Sequence, residues 1–189
     1  MLFLLLGGSG SGKSAYAEEL VKSLQHKESL YYVATMESDS AEAKDRIDKH
    51  RRLRDGKGFI TLEYPIHVEN AVKEIQSKEN IMLLECVSNL VANTFFAEDD
   101  YWKQAELDEI AKKITGKIKN LSLNTKHLVA VSNNIFEDGI KYDESVIKYQ
   151  KLLGRVNCLL AEDADVVVEI VCALPVVWKG TLPLANITQ

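Results

Sequence analysis

No two of the three cysteines, Cys86, Cys158 and Cys172, stand in C-x-x-C spacing, and an odd number cannot pair fully within the chain. This argues against a disulfide framework or a cysteine zinc site and points to a reducing cytoplasm. Surplus positive charge is missing too: 23 Lys+Arg against 28 Asp+Glu leave a formal net charge of -5. A protein that coats nucleic acid or lies on an anionic membrane needs a basic surface, so any basic patch here is local. The apolar run at the N terminus is far shorter than the roughly 20 residues that cross a bilayer. It has neither a basic segment before it nor a cleavage-site pattern after it, so it is not read as a signal peptide. Internal repeats, low-complexity segments and linkers are also missing. With 46% hydrophobic residues, residues 1–189 are expected to form one domain with a sizeable core.

What the chain does have is a glycine-rich turn between two regular elements. Leu2 to Leu6 are uniformly apolar and stop at Gly7-Gly8, the pattern of a strand buried on both faces. After Ser14, the residues Tyr16, Leu20, Val21 and Leu24 recur at helical spacing. Between them stands G-x-x-x-x-G-K-S, comprising Gly7, Gly8, Ser9, Gly10, Ser11, Gly12, Lys13 and Ser14. Glycines let successive backbone N–H groups converge on a phosphate, and the positive end of the following helix adds to the attraction. Lys13 is placed to reach the β and γ phosphates and the Ser14 hydroxyl to ligate magnesium.

Further strands are expected at 30–35, 59–63, 81–84, 128–131 and 166–171. Helices are expected at 41–55, 68–76, 106–121 and 144–161, while 87–96 is apolar enough to be a helix against the sheet or a subunit contact, and Leu174-Pro175 leads into a polar tail. Apolar strands alternating with amphipathic helices indicate an α/β fold of P-loop NTPase type, a mostly parallel sheet covered by helices on both faces. Ligands of such sheets sit at the carboxyl ends of the strands. Thr35, Glu85 and Ser132-Asn133 fall there beside the glycine loop.

Glu85 closes a buried strand, where an acidic residue either holds magnesium, as in a Walker B strand, or is simply a solvated end. The segment around His50 is strongly basic. Arg46, His50 and Arg54 share one face of a helix, with Arg51 and Arg52 alongside. Guanidinium groups grip phosphate oxygens, and a neutral imidazole kept so by neighbouring positive charge can attack phosphorus. Residue type alone favours the plainer reading of a solvated basic face. His26, His67 and His127 are given no role, and the three cysteines, beside apolar runs, are read as core residues.

The ordered motifs narrow this further. They are G-G-x-x-S-G-K-S-x-x-A-E from Gly7, Y-x-A-T from Tyr32, E-x-x-x-R-I-x-x-H from Glu42, T-x-E from Thr61 and L-L-E-C from Leu83. V-S-N from Val131, G-R-V-N from Gly154 and A-D-x-V from Ala164 complete the set. On these residues the chain resembles, over nearly its full length, the bifunctional adenosylcobinamide kinase and adenosylcobinamide-phosphate guanylyltransferase family of cobalamin biosynthesis. The resemblance implies a magnesium-dependent transferase using GTP and ATP. It would phosphorylate adenosylcobinamide, then pass GMP from GTP through a covalent histidine adduct to adenosylcobinamide phosphate. His50 matches the guanylylated histidine. Ala34, Thr35, Met36, Arg51, Arg52, Leu53, Arg54, Glu63 and Glu85 would line the nucleotide site with the glycine loop, and Ser14 and Glu85 would hold the metal. A cytoplasmic homotrimer is also implied, with no nucleic-acid partner and no membrane insertion. Asp55 stands where the family usually has proline, and Phe59 where it usually has tryptophan. Two other readings remain open on the residues alone: a P-loop small-molecule kinase without a covalent intermediate, and a nucleotide-dependent switch protein.

Overall fold

The computed structural model describes residues 1–37, 56–97, 106–136 and 142–183. The first strand, β1 (Leu2–Leu6), shows how the fold is built. Side chains alternate across a strand, so Leu2 and Leu4 enter one apolar layer while Phe3 and Leu5 enter the other. Phe3, Leu4 and Leu5 are fully buried, each worth about 1.5–3 kcal/mol of transfer free energy. A strand apolar at every position can satisfy both layers only near the middle of a covered sheet.

The layer on one side is closed by α1 (Lys13–Leu24), which buries Tyr16, Ala17, Leu20, Val21 and Leu24. The opposite layer is closed by α2 (Val87–Phe95), α3 (Leu107–Leu123) and α4 (Glu144–Asp163). In α3, Ile110, Ile114, Ile118 and Leu121 are buried at three- and four-residue spacing, as its amphipathic pattern requires. Asp143 caps α4, its carboxylate accepting the Val146 N–H.

The other strands are β2 (Ser29–Ala34), β3 (Phe59–Glu63), β4 (Asn80–Glu85), β5 (His127–Val131), β6 (Val166–Val171) and β7 (Leu174–Lys179). They form one seven-stranded sheet in the order β3-β2-β4-β5-β1-β6-β7. Every pairing is parallel except β6 with β7. β1 therefore lies between β5 and β6, and β5 separates it from β4. This is the α/β architecture expected from the sequence.

Three expectations are corrected. The helix expected at 68–76 is a shorter 3-10 helix, Val68–Lys73, opened by an i to i−3 bond from Asn70 N–H to the His67 carbonyl. The stretch from Leu174-Pro175 into the expected polar tail is instead β7, exposed along its whole length. Pro175 disguised it, since proline within a strand pattern argues against a strand except at a sheet edge, and β7 is the edge. Of the cysteines only Cys86 is buried, while Cys158 and Cys172 are exposed. Neighbouring apolar residues do not decide which face of a helix or which part of a turn a cysteine occupies. The helix expected at 41–55, with His50, Arg51, Arg52, Leu53 and Arg54, lies outside the described residues.

Candidate functional site

The turn from β1 into α1 closes as a tight loop because two of its glycines have no alternative. A Cβ on Gly7 would lie 2.6 Å from Ser11 Oγ and 2.8 Å from the Ile170 carbonyl oxygen. Gly12 has φ 91°, in the left-handed region that favours glycine. α1 begins directly after it at Lys13, with no side chain capping its first turn and no acidic residue there. Among the described residues no side chain takes up the N–H groups of this turn, which with the positive end of the helix dipole are left for an anion.

Lys13 is only 9% exposed, and its ammonium donates to the Gly8 carbonyl at 3.1 Å, folding the side chain back over the loop. Burial holds its pKa below the ordinary lysine value, opposed by the negative ends of Cys86 and Glu85. Ser14 Oγ donates to Glu85 Oε1. Register explains the meeting: Leu5 and Glu85 are both level with Val131, so the ends of β1 and β4 flank the end of β5. A hydroxyl and a carboxylate together are hard oxygen donors of the kind magnesium takes, with phosphate oxygens and water completing its shell. The residues present fit that ion.

The carboxyl ends of the neighbouring strands join the same row. Ala34 is level with Glu63 on one side and Glu85 on the other. Thr35 is fully buried; its hydroxyl donates to the Cys86 carbonyl at 2.8 Å and accepts the Cys86 N–H at 2.7 Å. Asn93 donates to the carbonyls of Thr35 and Pro65, tying the end of β2 to the connection beyond β3. Thr35 thus anchors this edge of the site from within, and Met36 beside it is half-buried. The structure brings the glycine loop, Lys13, Ser14, Ala34, Thr35, Glu63 and Glu85 to one end of the sheet.

Sequence reasoning marked Ser132 and Asn133 but not their partners. Ser132 Oγ donates to Asn157 Oδ1 on α4 at 2.7 Å, and the Asn133 amide donates to Ser88 Oγ at the start of α2. The Asn134 N–H donates to the Gly7 carbonyl at 2.9 Å, joining the end of β5 to the glycine loop. Tyr149 donates to the Ser88 carbonyl at 3.2 Å, and burial pushes its hydroxyl up to about 12. Also missed was the Ala173 N–H, which donates to the Ser11 carbonyl at 2.9 Å. No motif signals such a contact, because a backbone donor carries no residue type.

A glycine loop between a buried parallel strand and a helix, with lysine and serine at the helix start and a carboxylate at the end of a neighbouring strand, defines a P-loop nucleotide-binding protein. More narrowly, the chain belongs to the cobinamide kinase / cobinamide phosphate guanyltransferase family, whose model matches residues 3–178. It is therefore a transferase by family. Two relatives carry the description bifunctional adenosylcobalamin biosynthesis protein CobU, from Escherichia coli (strain K12) and Salmonella typhimurium (strain LT2). Each is 27% identical over 185 residues, covering 95% of this chain and 100% of the relative. Among solved structures, the flagellar accessory protein FlaH of Methanocaldococcus jannaschii aligns with TM-score 0.48 and 16% identity, covering 95% of this chain and 78% of that one.

Proposed function

We propose that the protein catalyses two successive transfers in the assembly of the cobalamin nucleotide loop. In the first, the aminopropanol hydroxyl of adenosylcobinamide attacks the γ phosphorus of a nucleoside triphosphate. The bond from that phosphorus to the bridging oxygen breaks, and the diphosphate leaves. In the second, a ring nitrogen of His50 attacks the α phosphorus of GTP and pyrophosphate leaves. A phosphate oxygen of adenosylcobinamide phosphate then displaces His50 from that phosphorus, giving adenosylcobinamide-GDP and the original histidine.

The observation that carries this reading is the pairing of Ser14 with Glu85 beside the buried Lys13, in a chain of this family. Loop N–H groups and the Lys13 ammonium would hold the polyphosphate, with the positive charge placed where negative charge accumulates on the departing oxygen. Magnesium, held by Ser14 and Glu85 directly or through water, would neutralise phosphate charge. Arg51, Arg52 and Arg54 follow His50 in sequence and would grip the guanylate phosphates in a bidentate manner. Ala34, Met36, Leu53 and Glu63 are proposed to line the nucleotide, and the enzyme is proposed to work as a cytoplasmic homotrimer.

The test is incubation with magnesium and GTP labelled at the α phosphate. The expected result is an acid-labile label on the wild-type protein that is absent from His50→Ala and is discharged by adenosylcobinamide phosphate. Labelled product with no protein-bound label would instead favour a kinase without a covalent intermediate. Hydrolysis alone, unaffected by any corrinoid, would favour a nucleotide-dependent switch.

A further inference from the structure

The connection between β6 and β7 consists of Cys172 and Ala173, and both have positive φ, 51° and 65°. Two successive left-handed residues are the hallmark of a turn whose twist suits an antiparallel hairpin, and such turns ordinarily use Asn or Gly. Here two ordinary side chains occupy strained positions. Strain of this kind persists only where the surroundings over-determine the backbone, and it gathers at functional sites.

The surroundings are the glycine loop itself. The Ala173 N–H donates to the Ser11 carbonyl at 2.9 Å. A Cβ on Gly12 would stand 3.3 Å from both Cα and Cβ of Ala173. One turn of the loop earlier, Gly7 packs against the Ile170 carbonyl. In a planar trans peptide the C=O and the following N–H point in opposite directions. Holding the Ser11 carbonyl toward the hairpin therefore turns the Gly12 N–H away from the hairpin.

We propose that Ala173 is a positioning residue for phosphate binding: its N–H fixes the Ser11–Gly12 peptide so that the Gly12 N–H faces the bound triphosphate, and its closeness to Gly12 leaves room there for no side chain larger than a methyl. The proposal rests on the reading that the glycine loop holds a triphosphate. It adds that the shape of the loop is imposed by a hairpin at the far end of the chain.

The experiment compares Ala173→Val, Ala173→Gly and Cys172→Val with the wild-type protein. Dissociation constants for magnesium-GTP and for inorganic tripolyphosphate are measured by calorimetry, and ligand-free thermal melts are recorded. Both valine variants place a β-branched residue at positive φ, but only position 173 faces Gly12. Ala173→Val is expected to weaken both ligands at least tenfold. Ala173→Gly, which keeps the N–H and relaxes the turn, stays within about twofold of wild type, as does Cys172→Val despite a lower melting temperature. If Ala173→Val does not fold, Ala173→Leu, unbranched at Cβ, replaces it with the same expected loss. Wild-type affinity in the enlarged variant, or equal weakening by Cys172→Val, would overturn the positioning role. A wild-type protein that binds neither ligand would overturn the phosphate-loop reading itself, a distinguishable result.

Discussion

Ser14 Oγ donates to a carboxylate oxygen of Glu85, joining two residues 71 positions apart at the mouth of the glycine loop. Replacing Glu85 with Gln keeps the size of the side chain and removes its charge. The magnesium concentration giving half-maximal turnover is then expected to rise by about 10- to 100-fold, the usual range for groups that hold or orient a metal and its ligands. A magnesium titration of the variant that overlays the wild-type curve would remove Glu85 from the metal site.

Lys13 links affinity to pH. Burial sets its folded pKa below the ordinary value of 10.5, so between these two values the unfolded chain carries more protons than the folded one. Ligand-free stability accordingly rises with pH through that window, and the increment is lost as pH falls through the folded pKa. A polyphosphate binds the ammonium form, so tripolyphosphate affinity is expected to move the opposite way, falling as pH rises through the lowered pKa. Lys13→Met should abolish this slope. Calorimetric titrations of both proteins from neutral pH to the ordinary lysine range check it.

Thr35 predicts a stability effect. Its buried hydroxyl serves both the N–H and the carbonyl of Cys86, and Val in its place leaves two buried backbone groups without that partner. Thr35→Val is expected to lower unfolding free energy by about 1–3 kcal/mol. In urea this appears as a lower midpoint with an unchanged slope.

Thiol chemistry separates the cysteines. Cys158 and Cys172 are exposed, whereas burial, the largest influence on Cys86, raises its thiol above the ordinary range. A colourless-to-coloured thiol reagent should therefore count two fast groups and one slow group in the folded protein, and three fast groups in denaturant. Peptide mapping of the slow thiol should return Cys86.

Much of the site was legible because it is local. The run Leu2 to Leu6, the glycines and the Lys13-Ser14 pair lie within twenty residues, and strand, loop and helix each follow from side-chain pattern and backbone freedom there. Glu85 was legible as the acidic end of an apolar strand, although it reads equally as a solvated end. Its contact with Ser14 depends on β5 being inserted between β1 and β4, and no strand carries its neighbour's identity in its own residues.

The amino-acid sequence by itself determined the phosphate loop, the α/β layering and the basic segment around His50, since periodicity and residue type are properties of contiguous residues. Tertiary structure alone decided that Thr35 points inward, that 174–179 pairs as an edge strand despite Pro175, and that Ala173 meets Ser11. The reason is physical: hydrogen bonding between distant backbones depends on strand order and register, and a backbone N–H or carbonyl is the same at almost every residue.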